Sequence, residues 1–186
     1  MSCIRPAAPM HAARGNEFSR MAAGMRIVRT KNYFPRGFYS AYAKLVIEFG
    51  RLEYLIKLCI KDMHGQGFTQ GMIEAESKRQ FSALCRYAKK LATETLTPHE
   101  TDAFEQIIEE AALLADYRND SIHAYWTVEK GEPLRVRPKW DKKSRSVNWD
   151  RGGPVSVSDL RQKYQETRNL RERLDAARKK WSVRLE

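Results

Sequence analysis

The second half of the chain carries a run with several chemically able side chains, Arg118-Asn119-Asp120-Ser121-Ile122-His123-Ala124-Tyr125. A guanidinium makes paired hydrogen bonds to anionic oxygens, and an imidazole changes charge near neutral pH. Together they can hold an anion and move a proton. The register of the run adds information. The apolar positions Phe104, Ile108, Ala111 and Ala115 extend at helical steps onto Arg118 and then Ile122. A guanidinium therefore stands where the pattern asks for an apolar group. An unpaired buried charge is costly, so Arg118 needs a partner, lines a cleft or lies at a subunit seam. Glu53, on the polar margin of the first helix, is either that partner or a solvated surface charge. His123 follows Asn119 by four residues on the same helical face, so Asn119 can orient its ring. Arg118 and His123 stand five residues apart, about 140° around an ideal helix. One chain does not naturally aim them at one point, which argues for a dimer. Blander readings stand beside these. Cations favour helix C-termini whatever their chemistry, and Tyr125 and Trp126 suit the core of a hairpin.

The elements that must position these groups are mostly helical. Tyr42, Leu45, Val46, Phe49, Leu52, Ile56, Cys59, Ile60 and Met63 form one apolar stripe and predict a helix over about Phe38–Met63. The segment His64–Gly71 has three glycines without phosphate-loop spacing and reads as a helix connection. A second helix is expected over about Ile73–Thr93. The third has the clearest start in the chain: Thr97-Pro98-His99-Glu100 supplies an N-cap threonine, a proline at the first helical position and a reciprocal glutamate. It runs to about His123, with an acidic beginning that suits a helix N-terminus. From Tyr125 the period changes to that of a hairpin, with strands Trp126–Glu129 and Leu134–Arg137, a third strand expected at Ser146–Trp149, and a loop at Arg151–Pro154. A last helix begins at Ser156 or Ser158, with Leu160, Tyr164, Thr167, Leu170, Leu174, Ala177 and Trp181 inward and Arg168, Arg171 and Arg178 on a solvated face. The expected fold is mainly α, four helices with a small basic β-hairpin or meander between the third and fourth, at about 125–154.

Charge points to a polyanionic partner. The chain holds 34 Lys plus Arg against 23 Asp plus Glu, a formal net charge of +11, though basic surfaces also simply keep proteins soluble. In the β-insert Arg135, Arg137, Lys139, Lys142, Lys143, Arg145 and Arg151 interleave with Trp140 and Trp149. Cations beside flat rings suit phosphates and unstacked bases. The alternative is a charged edge that discourages sheet pairing. Residues 1–36 carry seven Arg or Lys and one acid, Glu17, with no apolar core of the kind a secretory signal needs. They read as a mobile basic arm, as a transit-like segment, or as sequence ahead of a start at Met21 or Met25. The helical domain is expected over 37–186. Cys3, Cys59 and Cys85 form no CxxC pair and no disulfide framework, which suits a reducing, cytoplasmic setting. His11, His64, His99 and His123 are scattered without metal-ligand spacing, so neither metal nor other cofactor is expected. No apolar run approaches the roughly 18 residues of a membrane-spanning helix.

Arg118-Asn119-x-x-x-His123 resembles the signature of the HEPN superfamily, small α-helical proteins with an arginine, a polar residue, about three variable residues and a histidine. The continuation His123-Ala124-Tyr125 is similar to the His-x-Tyr ending of HEPN toxins that pair with nucleotidyltransferase antitoxins. The order helix, helix, motif-bearing helix, insert, helix extends the resemblance over about Phe38–Trp181. The insert Arg135–Arg151 and the N-terminal segment exceed the minimal toxin pattern. The resemblance implies a four-helix HEPN-like bundle and metal-independent RNA cleavage by a homodimer whose two motifs line one cleft. It implies His123 as the base towards a ribose 2′-OH and Arg118 as the stabiliser of the phosphorane. Asn119 and Tyr125 would assist, and Tyr125 would be the site of nucleotide modification by an antitoxin partner. A toxin or a defence or stress effector is the implied role. A catalytically silent HEPN-like module that binds RNA or a protein is the alternative.

Overall fold

The computed structural model describes residues 33–65, 67–141 and 143–185, with side chains in the last helix described through Trp181. The expectations for residues 1–32 and for Lys142 lie outside the described residues. The described chain is mainly helical, with a small three-stranded antiparallel sheet. In order it runs α1 (Phe38–His64), α2 (Gly67–Ser77), α3 (Phe81–Thr95), α4 (Pro98–Ile122), β1 (Tyr125–Glu129), β2 (Glu132–Asp141), β3 (Ser146–Pro154) and α5 (Val157–Leu185).

Each helix has a local cause. α1 follows its stripe, burying Phe38, Ala41, Leu45, Phe49, Leu52, Leu55, Ile56, Cys59, Ile60 and Met63, and ends at Gly65 in the left-handed region at φ 67. α4 begins at the anticipated box: the Glu100 carboxylate accepts the Thr97 amide at 3.0 Å and its hydroxyl at 2.6 Å. α5 begins with a similar device. The Asp159 carboxylate accepts the Ser156 amide at 2.7 Å, and the Ser156 hydroxyl accepts the Asp159 amide at 3.0 Å, so Ser156 is the cap.

Two expectations change here. The second helix is two helices, broken at Lys78-Arg79-Gln80. The Lys78 amide closes back on the Ala75 carbonyl, and the Ser77 hydroxyl donates to the Glu74 carbonyl, which ends α2. The glycine-rich segment is not a connection throughout, because α2 starts within it, at Gly67. A Cβ at Gly71 would stand 2.9 Å from the Lys61 Cα, so glycine there lets α2 lie close against α1.

The main apolar core joins α1, α3, α4 and α5 around Phe49, Leu52, Ile56, Leu84, Phe104, Ile108, Leu170 and Leu174. A second core, at the β-bearing end, is built from Phe38, Ala41, Leu45, Val155 and Leu160, with Phe34, Tyr42, Tyr117, Trp126 and Tyr164 packed on it. Phe34 stacks on Phe38 at 4.6 Å, tying the start of the described chain to α1. Arg171 and Arg178 do not lie on a solvated face. Arg171 Nε donates to buried Glu48 at 2.5 Å, and Arg178 Nε donates to Asp62 at 2.6 Å, both across to α1. Arg173 grips Glu110 of α4 through two bonds, at 2.7 and 3.0 Å. Arg168, exposed, pairs along its own helix with Glu172. Arg171, Arg173 and Arg178 tie α5 to α1 and α4.

The sheet order is β1-β2-β3. The hairpin turn is two residues, Lys130 at φ 51 and Gly131 at φ 85, shorter than the four-residue turn the pattern suggested. β3 continues through Arg151–Pro154, where a loop was expected, with a register shift opposite Leu134–Val136.

Candidate functional site

The C-terminal end of α4 sits where the two cores meet. Ser121, 1% exposed, is its hub. A helix leaves its last carbonyls without intrahelical partners. The Ser121 carbonyl instead accepts the Trp126 indole N–H at 2.8 Å and the Tyr42 hydroxyl at 3.2 Å. The Ser121 hydroxyl donates to the Tyr117 carbonyl at 2.8 Å and accepts from Arg135 at 3.3 Å. Trp126 packs edge-on against Phe38 and Tyr42, with ring centroids 5.1 and 5.8 Å away. One buried serine thus fastens the end of α4 to α1 and to the first two strands.

Arg118 lies on the inward ridge, as its register demands. It is half-buried, with its guanidinium over the Phe49 ring at 5.5 Å. One terminal nitrogen donates to the Asn119 side-chain oxygen at 2.9 Å, and Nε is enclosed without a hydrogen-bond partner among the described residues. Among the described residues no carboxylate pairs with Arg118. Glu53 pairs with Lys57 at 3.3 Å instead. By contrast, Arg171 meets the buried Glu48 and Arg178 meets the part-buried Asp62. The Asn119 side-chain oxygen therefore serves Arg118 rather than the His123 ring. The Asn119 backbone carbonyl takes the His123 amide at 3.0 Å, which closes the helix. His123 is the C-cap, exposed, and its ring meets no partner among the described residues. Tyr125, two residues on, is 67% exposed at the start of β1.

Burial raises the pKa of Tyr42 from 10.0, opposed by the indole of Trp126 and the charge of Arg118. Burial likewise raises Tyr117, opposed by the charge of Arg135, and the Tyr117 hydroxyl is enclosed without a hydrogen-bond partner among the described residues. Neither phenol gives up its proton readily near neutrality. The thiols of Cys59 and Cys85 are also pushed up by burial, Cys85 to about 11, which removes them as nucleophiles.

The basic insert divides in two. Arg135 and Arg137 are half-buried struts: Arg135 lies over the Tyr117 ring at 5.0 Å, and Arg137 pairs with Asp120. They hold the sheet to the end of α4, and the Arg137 side chain stays 41% exposed. Lys139, Trp140, Lys143 and Arg145 are exposed. So is Trp149, at 62%. Sequence reasoning missed the hub role of Ser121 and the brace made by Tyr42 and Tyr117. The only signal for Ser121 was a small polar residue one turn beyond Arg118 on the inward side.

No helix among the described residues is long and apolar enough to cross a membrane. Comparison of the chain with family models, with curated proteins and with solved structures found no match.

Proposed function

We propose that the chain is a HEPN-like endoribonuclease that cleaves RNA without a metal and acts as a homodimer. The observation that carries the reading is Arg118: a half-buried guanidinium that meets no carboxylate among the described residues, steadied by Asn119 and Phe49, near the end of a helix whose next turn ends in an exposed histidine. A cation placed so is available to an anion from outside the chain. In the proposed reaction the His123 imidazole takes the proton of a ribose 2′-OH. The oxygen attacks the adjacent phosphorus, and Arg118 holds the extra negative charge of the phosphorane. The 5′-oxygen leaves with a proton, giving a 2′,3′-cyclic phosphate and a 5′-hydroxyl. DNA lacks the attacking group and is not cut by this route. The five-residue spacing directs the two side chains apart on one helix, so a second copy completes the cleft. A toxin, defence or stress role fits such an enzyme. Tyr125, open to solvent beside His123, is where a nucleotidyltransferase-type antitoxin would act.

The test is incubation of purified protein with RNA in excess EDTA. Cleavage that His123→Ala abolishes supports the proposal, and equal products from the wild type and His123→Ala overturn it. A second reading, a catalytically silent HEPN-like module that binds RNA or a protein, is favoured by the engagement of Arg118 with its own Asn119. It predicts RNA binding that survives both Arg118→Ala and His123→Ala, with no cleavage at all.

A further inference from the structure

The sheet has two unlike faces. Directly opposed residues of antiparallel strands project to the same side. The pairs Tyr125↔Val136, Val136↔Arg151, Pro138↔Trp149 and Trp140↔Val147 therefore place Tyr125, Val136, Pro138, Trp140, Val147, Trp149 and Arg151 together. The other face carries Trp126, Arg135 and Arg137, which are the groups bound to α1 and α4. The first face is open: Tyr125 is 67%, Trp140 58% and Trp149 62% exposed. None of these three rings packs on another ring of the described chain. Strand and residue spacings make the array about 14 Å by 10 Å, wide enough for several bases.

From this face we infer a base-stacking platform for unpaired RNA, built on Tyr125, Trp140 and Trp149. Charge complementarity selects this occupant. Lys143 and Arg145 stand exposed at the turn between β2 and β3 and form no ion pair among the described residues, and Arg151 lies on the face itself, 3.8 Å from Glu129. Flat rings beside exposed cations match a strand whose bases are free to stack and whose phosphates follow the rim. A duplex keeps its bases stacked on one another and cannot use the rings. Arg135 and Arg137 fix the platform from behind, which gives those two cations a positioning role. Because Tyr125 begins the platform two residues after His123, bound RNA is led to the end of α4. The consequence for cleavage, a preference for single-stranded RNA, rests on the reading of Arg118 and His123; the binding does not.

The test uses the full chain and dye-labelled oligodeoxythymidylate of about ten nucleotides, the site-size scale of single-strand binders. Stacking does not depend on the sugar, and this probe has no 2′-OH to cut. Fluorescence anisotropy is expected to show affinity falling at least about fivefold for each ring removed in Trp140→Ala and Trp149→Ala, with Trp140→Phe/Trp149→Phe keeping most of it. Single strands are expected to bind tighter than a duplex of the same length. Lys143→Ala/Arg145→Ala is expected to weaken both probes and to flatten the salt dependence. Unchanged binding by the ring-deleted double variant Trp140→Ala/Trp149→Ala would overturn the platform. Conversion of a dimer to a monomer by that variant would also overturn it, making the face a contact between copies. Normal oligodeoxythymidylate binding with no RNA cleavage would keep the platform and remove the catalytic reading.

Discussion

The carbonyl of Ser121 offers a quantitative check on how the site is held. It accepts two side-chain donors, Trp126 at 2.8 Å and Tyr42 at 3.2 Å, at a residue only 1% exposed. Trp126→Phe keeps a ring against Phe38 and Tyr42 but loses the shorter bond, at about 1 kcal/mol. Tyr42→Phe loses the longer one, at about 0.5 kcal/mol. After either change the carbonyl still has a partner. After both it is a buried acceptor with none, and that adds about 1–2 kcal/mol. The double variant should therefore lose roughly 2.5–3.5 kcal/mol, more than the sum of the single losses. In a domain of this size each kcal/mol moves the melting temperature by about 2–4 °C. Urea denaturation followed by circular dichroism gives all four corners of the cycle. Losses that add to within about 0.5 kcal/mol would show that the carbonyl does not depend on these two donors.

Other expectations follow from the same packing. Arg171→Ala strands the buried Glu48 carboxylate with only Arg51, itself 65% exposed, and should cost about 3 kcal/mol, whereas Arg51→Ala should cost under about 0.5 kcal/mol; equal losses in urea titrations would contradict this. Burial raises the pKa values of Tyr42 and Tyr117, so the folded state prefers both phenols protonated. Their contribution is intact below the ordinary value of 10.0 and is lost as pH rises through the higher folded values. Tyr117→Phe removes an enclosed hydroxyl without a partner, and should leave neutral-pH stability unchanged or higher while moving the alkaline unfolding midpoint upward; a lower midpoint would refute it. If the cleft takes Arg118 from one chain and His123 from its partner, mixing inactive Arg118→Ala and His123→Ala proteins after joint refolding should restore part of the cleavage. A mixture as inactive as its components would place both groups on one chain.

Much of the helical frame was legible in the residues. The α1 stripe and the Thr97–Glu100 box are local signals, and both formed in the expected place. Arg118 was legible as a violation, because a charge on an apolar ridge has no local cause. Its neighbours were not. Asn119 can reach either the next ring along the helix or the guanidinium beside it, and spacing alone does not choose; packing of Arg118 on Phe49 brings the amide to the guanidinium. The break at Lys78–Gln80 was hidden because lysine, arginine and glutamine carry no turn signature. Arg171 and Arg178 looked like solvent-facing charges because their acids, Glu48 and Asp62, are more than a hundred residues away. In the insert the sequence displayed cations and rings but not the strand register. That register divides them, turning Arg135 and Arg137 inward and leaving Trp140 and Trp149 out.

The most direct test of the proposed chemistry is one RNA with a single preferred cut, compared with the same strand carrying a 2′-deoxyribose immediately 5′ to that bond. If a ribose hydroxyl is the nucleophile, the substituted strand stays whole at that position in excess EDTA, and the unsubstituted one yields a cyclic phosphate end. Cutting of the deoxy-substituted bond at an undiminished rate would contradict the account.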